Sequence, residues 1–263
     1  RRAGLALASP ATLPTGLSTT LHVANVVAAD GGALDPAADS AVVKGTAHLA
    51  FVWSMHQPDY SVGANDGLAA PWVRKHATLD YYDMAAGLAD HPDIHATFNL
   101  TWQLLDQLDI YVARLLPFVD RQADTVDAAG FLAAWKGRTD PFVDLLLEET
   151  PAPGDATDAQ RDLLYAGTYT AFSTPAAVME RWPQYEALRL KGGDALTRDE
   201  WRLLKCLFEL AWFDERFLEG PVALPTGATV DLSDVVERHA DGTWHLVVPA
   251  TEALANRLVA EEA

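Results

Sequence analysis

Leu49-Ala50-Phe51-Val52-Trp53-Ser54-Met55-His56-Gln57-Pro58-Asp59-Tyr60 is the stretch around which the rest of the chain is organised. Its uncharged apolar part predicts a strand buried on both faces, the pattern of parallel sheets. Pro58 lacks a backbone N–H, so the strand ends by Gln57. Ligands of α/β sheets and barrels bind at the carboxyl ends of parallel strands, which makes His56 and Gln57 candidate binding residues. A histidine that merely caps a strand is an equally good interpretation of His56.

A second strand is predicted at residues 94–100, Ile94-His95-Ala96-Thr97-Phe98-Asn99-Leu100. Between the two strands, Thr78 is predicted to cap a helix that Pro92 ends. This helix is expected to bury one stripe of side chains at helical spacing, Tyr81, Met84, Ala85 and Leu88. Strand, helix and strand form a right-handed βαβ unit, so Asn99 is expected at the same end of the sheet as His56.

The chain beyond the second strand is predicted to be mainly helical. Helix starts follow from capping residues and capping boxes, at Thr101, Thr157, Thr174, Thr197 and Thr251. Asp241-Gly242 predicts the turn of a small hairpin. The chain is therefore expected to divide into an N-terminal arm with a short strand near residues 19–27 (1–46), the first βαβ part of the fold (47–119) and a helix-rich part with the hairpin (120–263).

The composition excludes several classes of partner. The 263 residues carry 37 acidic and 19 basic side chains, a formal charge of −18, whereas nucleic acids and anionic membranes require basic clusters. The single cysteine, Cys206, excludes an intramolecular disulfide and is interpreted as a buried, inert thiol. No apolar run reaches the roughly 18 residues of a transmembrane helix. We expect no nucleic-acid or membrane partner, and the lone cysteine and lack of a signal peptide favour the cytoplasm.

Four spaced blocks resemble the N-terminal part of glycoside hydrolase family 57. They are Trp53-Ser54-Met55-His56-Gln57-Pro58, Pro71-Trp72-Val73-Arg74-Lys75-His76, Asp80-Tyr81-Tyr82-Asp83-Met84 and Thr97-Phe98-Asn99-Leu100. Two later pieces are also similar to that family, Arg181-Trp182-Pro183-Gln184-Tyr185 and Leu210-Ala211-Trp212-Phe213-Asp214. The resemblance covers residues 48–219, and the blocks stand in the order that the family has.

The resemblance implies an α/β fold. This fold is the N-terminal portion of a (β/α)7 barrel with a helix-rich insertion, and the barrel is expected to be incomplete in this chain. The family acts on α-glucans as amylase-like hydrolases, amylopullulanases, glucanotransferases and branching enzymes. By resemblance the mechanism is retaining, with a glutamate nucleophile and an aspartate acid/base about 5–5.5 Å apart on later barrel strands. We therefore expect a glycoside hydrolase whose catalytic pair lies beyond this chain, an α-glucan ligand and no cofactor. The oligomeric state stays open.

The resemblance also implies a set of substrate-binding residues. His56 is similar to the family histidine that contacts the sugar beside the scissile bond, where an imidazole can hydrogen-bond a hydroxyl group. Trp53 and Trp72 are candidate platforms for the C–H side of a pyranose, although core packing is the commoner role of tryptophan. The remaining candidates at the same mouth are Gln57, Arg74, His76 and Asn99. A surface salt bridge is an equally good interpretation of Arg74, and a cap is the alternative for Asn99.

Two positions depart from the family pattern and keep other functions open. Many members have a histidine two positions before the one in His-Gln-Pro, where this chain has Ser54, and Thr101-Trp102 replaces an expected Pro-Ser. A carbohydrate-binding pseudoenzyme, complete at this length, is therefore an alternative. A metal-dependent hydrolase of the deacetylase kind is a weaker one, because three converging ligands are needed and the histidines are scattered. If the chain is instead a fragment, we expect marginal folding with open sheet edges and an exposed apolar face.

Overall fold

The computed structural model describes residues 51–62 and 66–263 in full and, before them, only the backbones of two short strands. By packing, the chain divides into two compact units, residues 1–49 and residues 50–263. In the first unit, β1 (Leu21–His22) pairs antiparallel with β2 (Ser40–Ala41). β1 falls inside the stretch predicted as a strand near residues 19–27, and the remainder of that stretch lies outside the described residues.

A pair of parallel strands begins the second unit. β3 (Phe51–Met55) lies beside β6 (Ala96–Leu100), and Ser54 is directly opposite Asn99. The predicted strand–helix–strand unit and its parallel order are therefore confirmed. Asn99 and the residue that follows β3, His56, lie at the same end of the pair, as the parallel order requires.

The prediction that the first strand is buried on both faces was wrong. Only Met55 of β3 is buried, and Val52 is 65% exposed. Among the described strands, β3 is hydrogen-bonded to β6 alone, so its other edge and much of its apolar surface stay accessible. The expected exposed apolar face is confirmed here, with its largest members at Phe51, Val52 and Leu100.

The helix between these strands starts earlier than predicted and contains a wide turn. α1 (Trp72–His76) begins directly after Pro71 and continues through a π-helical segment (Ala77–Tyr81) into α2 (Tyr82–Ala89). A π segment inserts one residue into the helical repeat, which rotates the side chains that follow. The surface that faces the strand ends is therefore not the one that a regular helix would present.

Thr78 lies inside this helix, so the prediction that it caps the helix was wrong. Its hydroxyl lies 3.2 Å from the carbonyl oxygen of Lys75 and 3.0 Å from that of Trp212, and it donates to these instead of capping. The predicted buried stripe was also wrong, because no residue of the π segment or of α2 is fully buried.

The remaining elements of the second unit are short helices and two-stranded hairpins. The helices are α3 (Trp102–Arg114), α4 (Ala128–Trp135), α5 (Pro141–Leu147), α6 (Asp158–Arg161), α7 (Ala176–Met179), α8 (Pro183–Lys191), α9 (Arg198–Leu210), α10 (Glu215–Glu219) and α11 (Glu252–Glu262). Short 3-10 or π segments are Leu116–Phe118, Pro153–Asp155, Asp162–Ala166 and Gly193–Ala195. The strands are β4 (Ser61–Val62), β5 (Gly67–Leu68), β7 (Val119–Asp120), β8 (Thr125–Val126), β9 (Val222–Ala223), β10 (Thr229–Val230), β11 (Val236–Arg238) and β12 (Trp244–Leu246).

Most of the predicted helix starts are confirmed. A threonine occupies the N-cap position at Thr101, Thr157, Thr197 and Thr251. The exception is Thr174: Pro175 is the N-cap of α7, and the Thr174 hydroxyl lies 3.0 Å from that of Tyr185 in the core. The predicted hairpin is also confirmed, with β11 and β12 joined through Gly242 at a φ of +88°, a conformation that favours glycine.

The core of the second unit is centred on α9. This helix packs against α8 and α11 and buries large side chains, among them Trp201, Leu204 and Phe208. Cys206, on the same helix, is fully buried, and burial raises the pKa of its thiol to about 12. The thiol is thus held in its neutral form, which agrees with the expectation of an inert cysteine.

These elements confirm a mixed α/β class. Each sheet in the described part of the chain has two strands, and β3–β6 is the parallel one among them, so the (β/α)7 barrel stays a prediction. Packing places residues 50–263 in one unit and shows no boundary at residue 120. The division expected there stays a prediction. Over the described residues, no helix combines the length and apolarity needed to cross a membrane.

Candidate functional site

The carboxyl end of the β3–β6 pair presents two of the predicted site residues to solvent. His56 follows β3 directly and is exposed, and Asn99 is exposed near the end of β6. Ser54 is directly opposite Asn99 and is also exposed. The strand ends therefore form an open polar edge that a ligand can reach.

Gln57 is held by two tyrosines. Its Nε2 donates to the hydroxyl oxygen of Tyr81 (3.0 Å), and its Oε1 accepts a hydrogen bond from the hydroxyl of Tyr60 (3.1 Å). The Tyr81 hydroxyl in turn donates to the backbone oxygen of His56 (3.0 Å). The amide of Gln57 thus orders the turn after β3 and joins it to the π segment of the helix.

A row of aromatic side chains starts at Tyr81. Its neighbours along the row are His76, Trp212, Trp72 and Tyr169, with ring centroids 6.1, 5.1, 5.6 and 6.0 Å apart in that order. Trp212 is buried, Trp72 is half-buried, and Tyr169 is 40% exposed. We call these five residues the aromatic row. It brings the predicted residues Trp72 and His76 into one contiguous surface with the turn of Gln57.

His76 has a carboxylate partner one turn along the helix. Its Nδ1 is in contact with Oδ2 of Asp80, and its side chain is 30% exposed. A carboxylate at Nδ1 favours the form in which this nitrogen carries the proton, which leaves Nε2 as the second polar atom of the ring. The pair therefore offers a fixed imidazole to a hydroxyl-bearing ligand.

Trp53 lies within the strand pair rather than in the aromatic row. Its ring meets that of Phe98, its partner across the two strands, edge to face at 5.2 Å. Both side chains are half-buried. This packing is the commoner role of tryptophan, and it stabilises the only parallel contact between the described strands.

Arg74 is buried, and the structure does not bring it to the exposed edge. Only 3% of its side chain is exposed, and its guanidinium pairs with Asp140 (Nε–Oδ2, 3.2 Å) and with Glu209 (Nη1–Oε2, 2.6 Å). Lys75 lies beside it, 2.5 Å from Glu209, and burial lowers the pKa of Lys75 to about 7. Glu262 completes this charge cluster through contacts with both cations. The ion-pair interpretation of Arg74 is thus the one that the structure supports, in the core instead of on the surface.

A cavity of about 570 Å³ lies next to the π segment. Its walls combine carboxylates with two arginines: Leu79, Asp80, Asp83, Val178, Arg181, Asp214, Glu215, Arg216 and Glu219. Arg216 is already paired with Asp83, Asp90 and Asp214. Asp80 links the cavity to the aromatic row through its contact with His76. Within residues 51–62 and 66–263, no three His, Cys, Asp or Glu side chains come together as a metal site.

Three residues of the aromatic row, Tyr81, Trp212 and Tyr169, were not among the predicted ones. Tyr81 was assigned to the buried stripe of the helix, and Trp212 was noted only as part of a similar block. A regular helical repeat places Tyr81 towards the core, whereas the π segment places its hydroxyl at the turn of Gln57. Trp212 reaches the row from the end of α9, a contact between distant segments that spacing alone does not reveal.

Comparison with known proteins agrees with the resemblance found in the sequence. The model of glycosyl hydrolase family 57 matches residues 50–219, which is more than half of the chain. No curated protein and no solved structure gives a significant match. The matched region contains the strand pair, the turn of His56 and the whole aromatic row. The chain is therefore a member of glycosyl hydrolase family 57.

Proposed function

We propose that this chain supplies the substrate-binding side of an α-glucan-active glycoside hydrolase or transglycosidase. Its family is one of glycoside hydrolases, so carbohydrate is the class of substrate. The amylase-like or amylopullulanase-like specificity, the retaining mechanism and the α-glucan itself are parts of the proposal. The glutamate nucleophile and the aspartate acid/base are assigned to no residue of this chain and belong, in this proposal, to further barrel strands.

The observation that carries the proposal is the position of His56. It is exposed at the carboxyl end of two parallel strands, the end at which α/β folds bind ligands. The Tyr81 hydroxyl donates a hydrogen bond to the backbone oxygen of His56 and so fixes the backbone of this residue at the turn. The exposed imidazole of a residue whose backbone is held in this way can donate to or accept from a sugar hydroxyl.

The aromatic row gives the same edge its apolar component. A pyranose ring has one face of C–H groups, which packs on the faces of tryptophan and tyrosine. Trp72 and Tyr169 are the accessible large rings of the row, and the buried Trp212 packs against Trp72. In the proposal, His56, His76 and Asn99 bind hydroxyl groups, Trp72 stacks on the sugar, and Gln57 orders the turn. Trp53 borders the site from the strand pair.

Arg74 has a different part in the proposal. Its guanidinium is occupied by Asp140 and Glu209, so it fixes the helix that carries Trp72 and His76 and does not contact the sugar. In a retaining glycosidase the two catalytic carboxyl groups lie about 5–5.5 Å apart across the scissile bond. The residues proposed here would position the glucan for such a pair.

Binding of maltohexaose, measured by isothermal titration calorimetry, tests the first part of the proposal. We expect the wild-type chain to bind, and His56→Ala to weaken binding about tenfold through the loss of one hydrogen bond. His95→Ala is the matched control, because His95 is exposed and directly precedes β6 at the opposite end of the pair. Equal losses of affinity in the two variants, or no binding by the wild type, would contradict the proposal that the carboxyl end of the β3–β6 pair binds the glucan.

Cleavage is tested on the longest polypeptide that the source reading frame encodes. We expect maltodextrin hydrolysis or transfer, with the α configuration of the first product retained in a time-resolved NMR spectrum. Binding without cleavage would favour the second candidate function, a carbohydrate-binding pseudoenzyme. The observation behind that candidate is Ser54, a hydroxyl where many members of the family have an imidazole.

A further inference from the structure

Gln107 is a buried polar residue on the apolar face of α3. Only 2% of it is exposed, and Leu104 and Tyr111 flank it at helical spacing on the same face. The Tyr111 hydroxyl, one turn further on, donates to Asp140 (2.9 Å). A buried amide is stable only if its donors and acceptor are paired, so the partners of Gln107 show what this residue does.

The Gln107 amide bonds both sides of the turn that follows His56. Its Oε1 accepts the backbone N–H of Tyr60 (2.8 Å), and its Nε2 donates to the backbone oxygen of Pro58 (3.0 Å). The second hydrogen of Nε2 goes to the backbone oxygen of Gln103 on α3 itself (2.8 Å). A single side chain from a distant helix therefore holds two backbone groups of the turn.

Tyr60 connects Gln107 to the residues at the carboxyl end of β3. The backbone N–H of Tyr60 donates to Gln107, and the Tyr60 hydroxyl donates to Oε1 of Gln57 (3.1 Å). The carbonyl oxygen of Tyr60 accepts the N–H of Ala69 (2.8 Å). Gln57 then bonds Tyr81, whose hydroxyl donates to the backbone oxygen of His56. Two amides and two tyrosines thus form one continuous network from α3 to the end of β3.

We propose that Gln107 is a positioning residue for glucan recognition: it sets the turn from Gln57 to Tyr60 and thereby holds His56 at the strand end. The inference rests on the proposed function of His56. Gln107 does not contact the sugar. It acts through the turn. The chain leaves the sheet at Pro58, which has no backbone N–H to donate, so the turn depends on the side-chain bonds from Gln107.

Only a carboxamide satisfies all three bonds of Gln107. Methionine has a similar length but leaves the Tyr60 N–H and the Pro58 carbonyl oxygen without partners in a buried place. Glutamate can still accept the Tyr60 N–H, but when ionised it faces two carbonyl oxygens and has no hydrogen to donate. A protonated glutamate regains one donor, so Gln107→Glu is expected to recover part of the wild-type turn as the pH falls.

The first test is made without ligand, by NMR of the full chain. In Gln107→Met we expect hydrogen exchange at the Tyr60 amide to be at least about tenfold faster and the His56 ring signals to shift, with the helical circular dichroism unchanged. Gln103→Met is the matched control, because it makes the same substitution at an exposed side chain one turn earlier on α3. In Gln107→Glu the protection of the Tyr60 amide is expected to rise as the pH is lowered. This variant also serves if Gln107→Met does not fold.

The second test measures maltohexaose binding by the same variants. We expect Gln107→Met to weaken binding about tenfold and Gln103→Met to bind like the wild type. Relative to the wild type at each pH, Gln107→Glu is expected to bind more tightly at low pH than at neutral pH, in step with the recovered protection of the Tyr60 amide and with the helical circular dichroism unchanged.

Two outcomes would overturn the positioning role. One is a folded Gln107→Met variant with an unchanged Tyr60 amide and unchanged His56 signals. The other is a displaced turn with wild-type affinity for the glucan. A wild-type chain that binds no glucan would instead overturn the proposed function, and the ligand-free experiment separates that failure from failure of the turn.

Discussion

The β3–β6 pair and helix α9 are both rich in apolar residues, yet they bury them to very different extents. On β3 only Met55 is buried, whereas α9 buries most of its length, including Trp201, Leu204 and Phe208. α9 has neighbouring helices on its apolar side, and β3 has a single hydrogen-bonded strand in the described part of the chain. An apolar pattern thus predicts which element forms, while its burial depends on partners that the pattern does not name.

Polar and charged side chains show the same contrast. Near the strand ends His56 is exposed, whereas Arg74 and Lys75 are enclosed with Glu209 between α1, α9 and α11. Buried charges are stable only when paired, so the enclosed cluster fixes how the helices pack. The strand ends carry the proposed binding surface, and the charge cluster fixes the helix that bears Trp72 and His76.

The largest effect is expected from breaking the charge cluster. Glu209→Ala leaves Arg74 and Lys75 buried with one carboxylate fewer, which should cost about 3–5 kcal/mol of unfolding free energy. Urea denaturation followed by circular dichroism measures this. Glu186→Gln, which breaks the exposed ion pair with Arg189, is the control and should leave the urea midpoint close to that of the wild type. Similar midpoints for both variants would show that the cluster does not fix the packing.

Truncation of apolar side chains tests the contrast in burial directly. Leu204→Ala on α9 should lower the unfolding free energy by about 2–5 kcal/mol, because it opens a cavity in the core. Val52→Ala on β3, where the side chain is 65% exposed, should lower it by less than about 1 kcal/mol. Urea midpoints of the two variants give the comparison, and a large loss for Val52→Ala would mean that the β3 face is covered.

A pH-dependent effect of intermediate size is expected at Asp144. Burial raises the pKa of this carboxyl group from 3.8 to about 6, and its Oδ2 accepts the N–H of Gly137 (2.7 Å). Since the folded pKa is the higher one, the folded protein binds more protons between these two values. The contribution of Asp144 to stability is therefore present at low pH and lost as the pH rises through 6.

Asp144→Asn removes this titration. The variant should be more stable than the wild type by about 1–2 kcal/mol at pH 8, and the gain should shrink as the pH falls below 6. Urea midpoints at pH 5, 6.5 and 8 check the trend. Asp106→Asn, which removes an exposed carboxylate of α3, is the control. A gain in Asp144→Asn that does not depend on pH would contradict the assignment.

The last effect is expected at the site itself, and it concerns binding more than stability. Trp72→Ala should weaken binding of maltohexaose about tenfold by removing one face for the sugar. Because Trp72 is half-buried, its loss should lower stability less than Leu204→Ala does. Calorimetry and urea denaturation of the same variant separate the two effects. Unchanged affinity would remove Trp72 from the site.

Local rules predicted much of this fold. Of the six predicted threonine caps, four lie at an N-cap position, and three of these four accept a backbone N–H with the side chain. The hairpin at Gly242 and the parallel order of the strand pair also followed from short-range patterns. Thr78 was predicted wrongly because the helix already begins at Trp72. The buried stripe was predicted wrongly because a π segment changes the helical repeat, which no residue type signals. The prediction that β3 is buried on both faces was wrong, because burial depends on neighbours that come from elsewhere in the chain.

The candidate site was predictable in part. The sequence blocks that resemble the family identified as candidates His56, Gln57, Trp72, His76 and Asn99. The parallel order of the strands placed His56 and Asn99 at the same end of the β3–β6 pair. That Arg74 is buried could not be predicted, since its partner Glu209 is far away in the sequence. Gln107 did leave a signal, a polar residue on an apolar helical face, but its partners became visible only in three dimensions.

The carboxyl end of the β3–β6 pair is proposed to bind the glucan, and an NMR titration with maltohexaose tests this most directly. We predict shifts of the His56 and Trp72 ring signals that saturate together, with the rings of His239 and His245 on the β11–β12 hairpin unaffected. Saturating shifts elsewhere with silent His56 and Trp72 rings would contradict the claim.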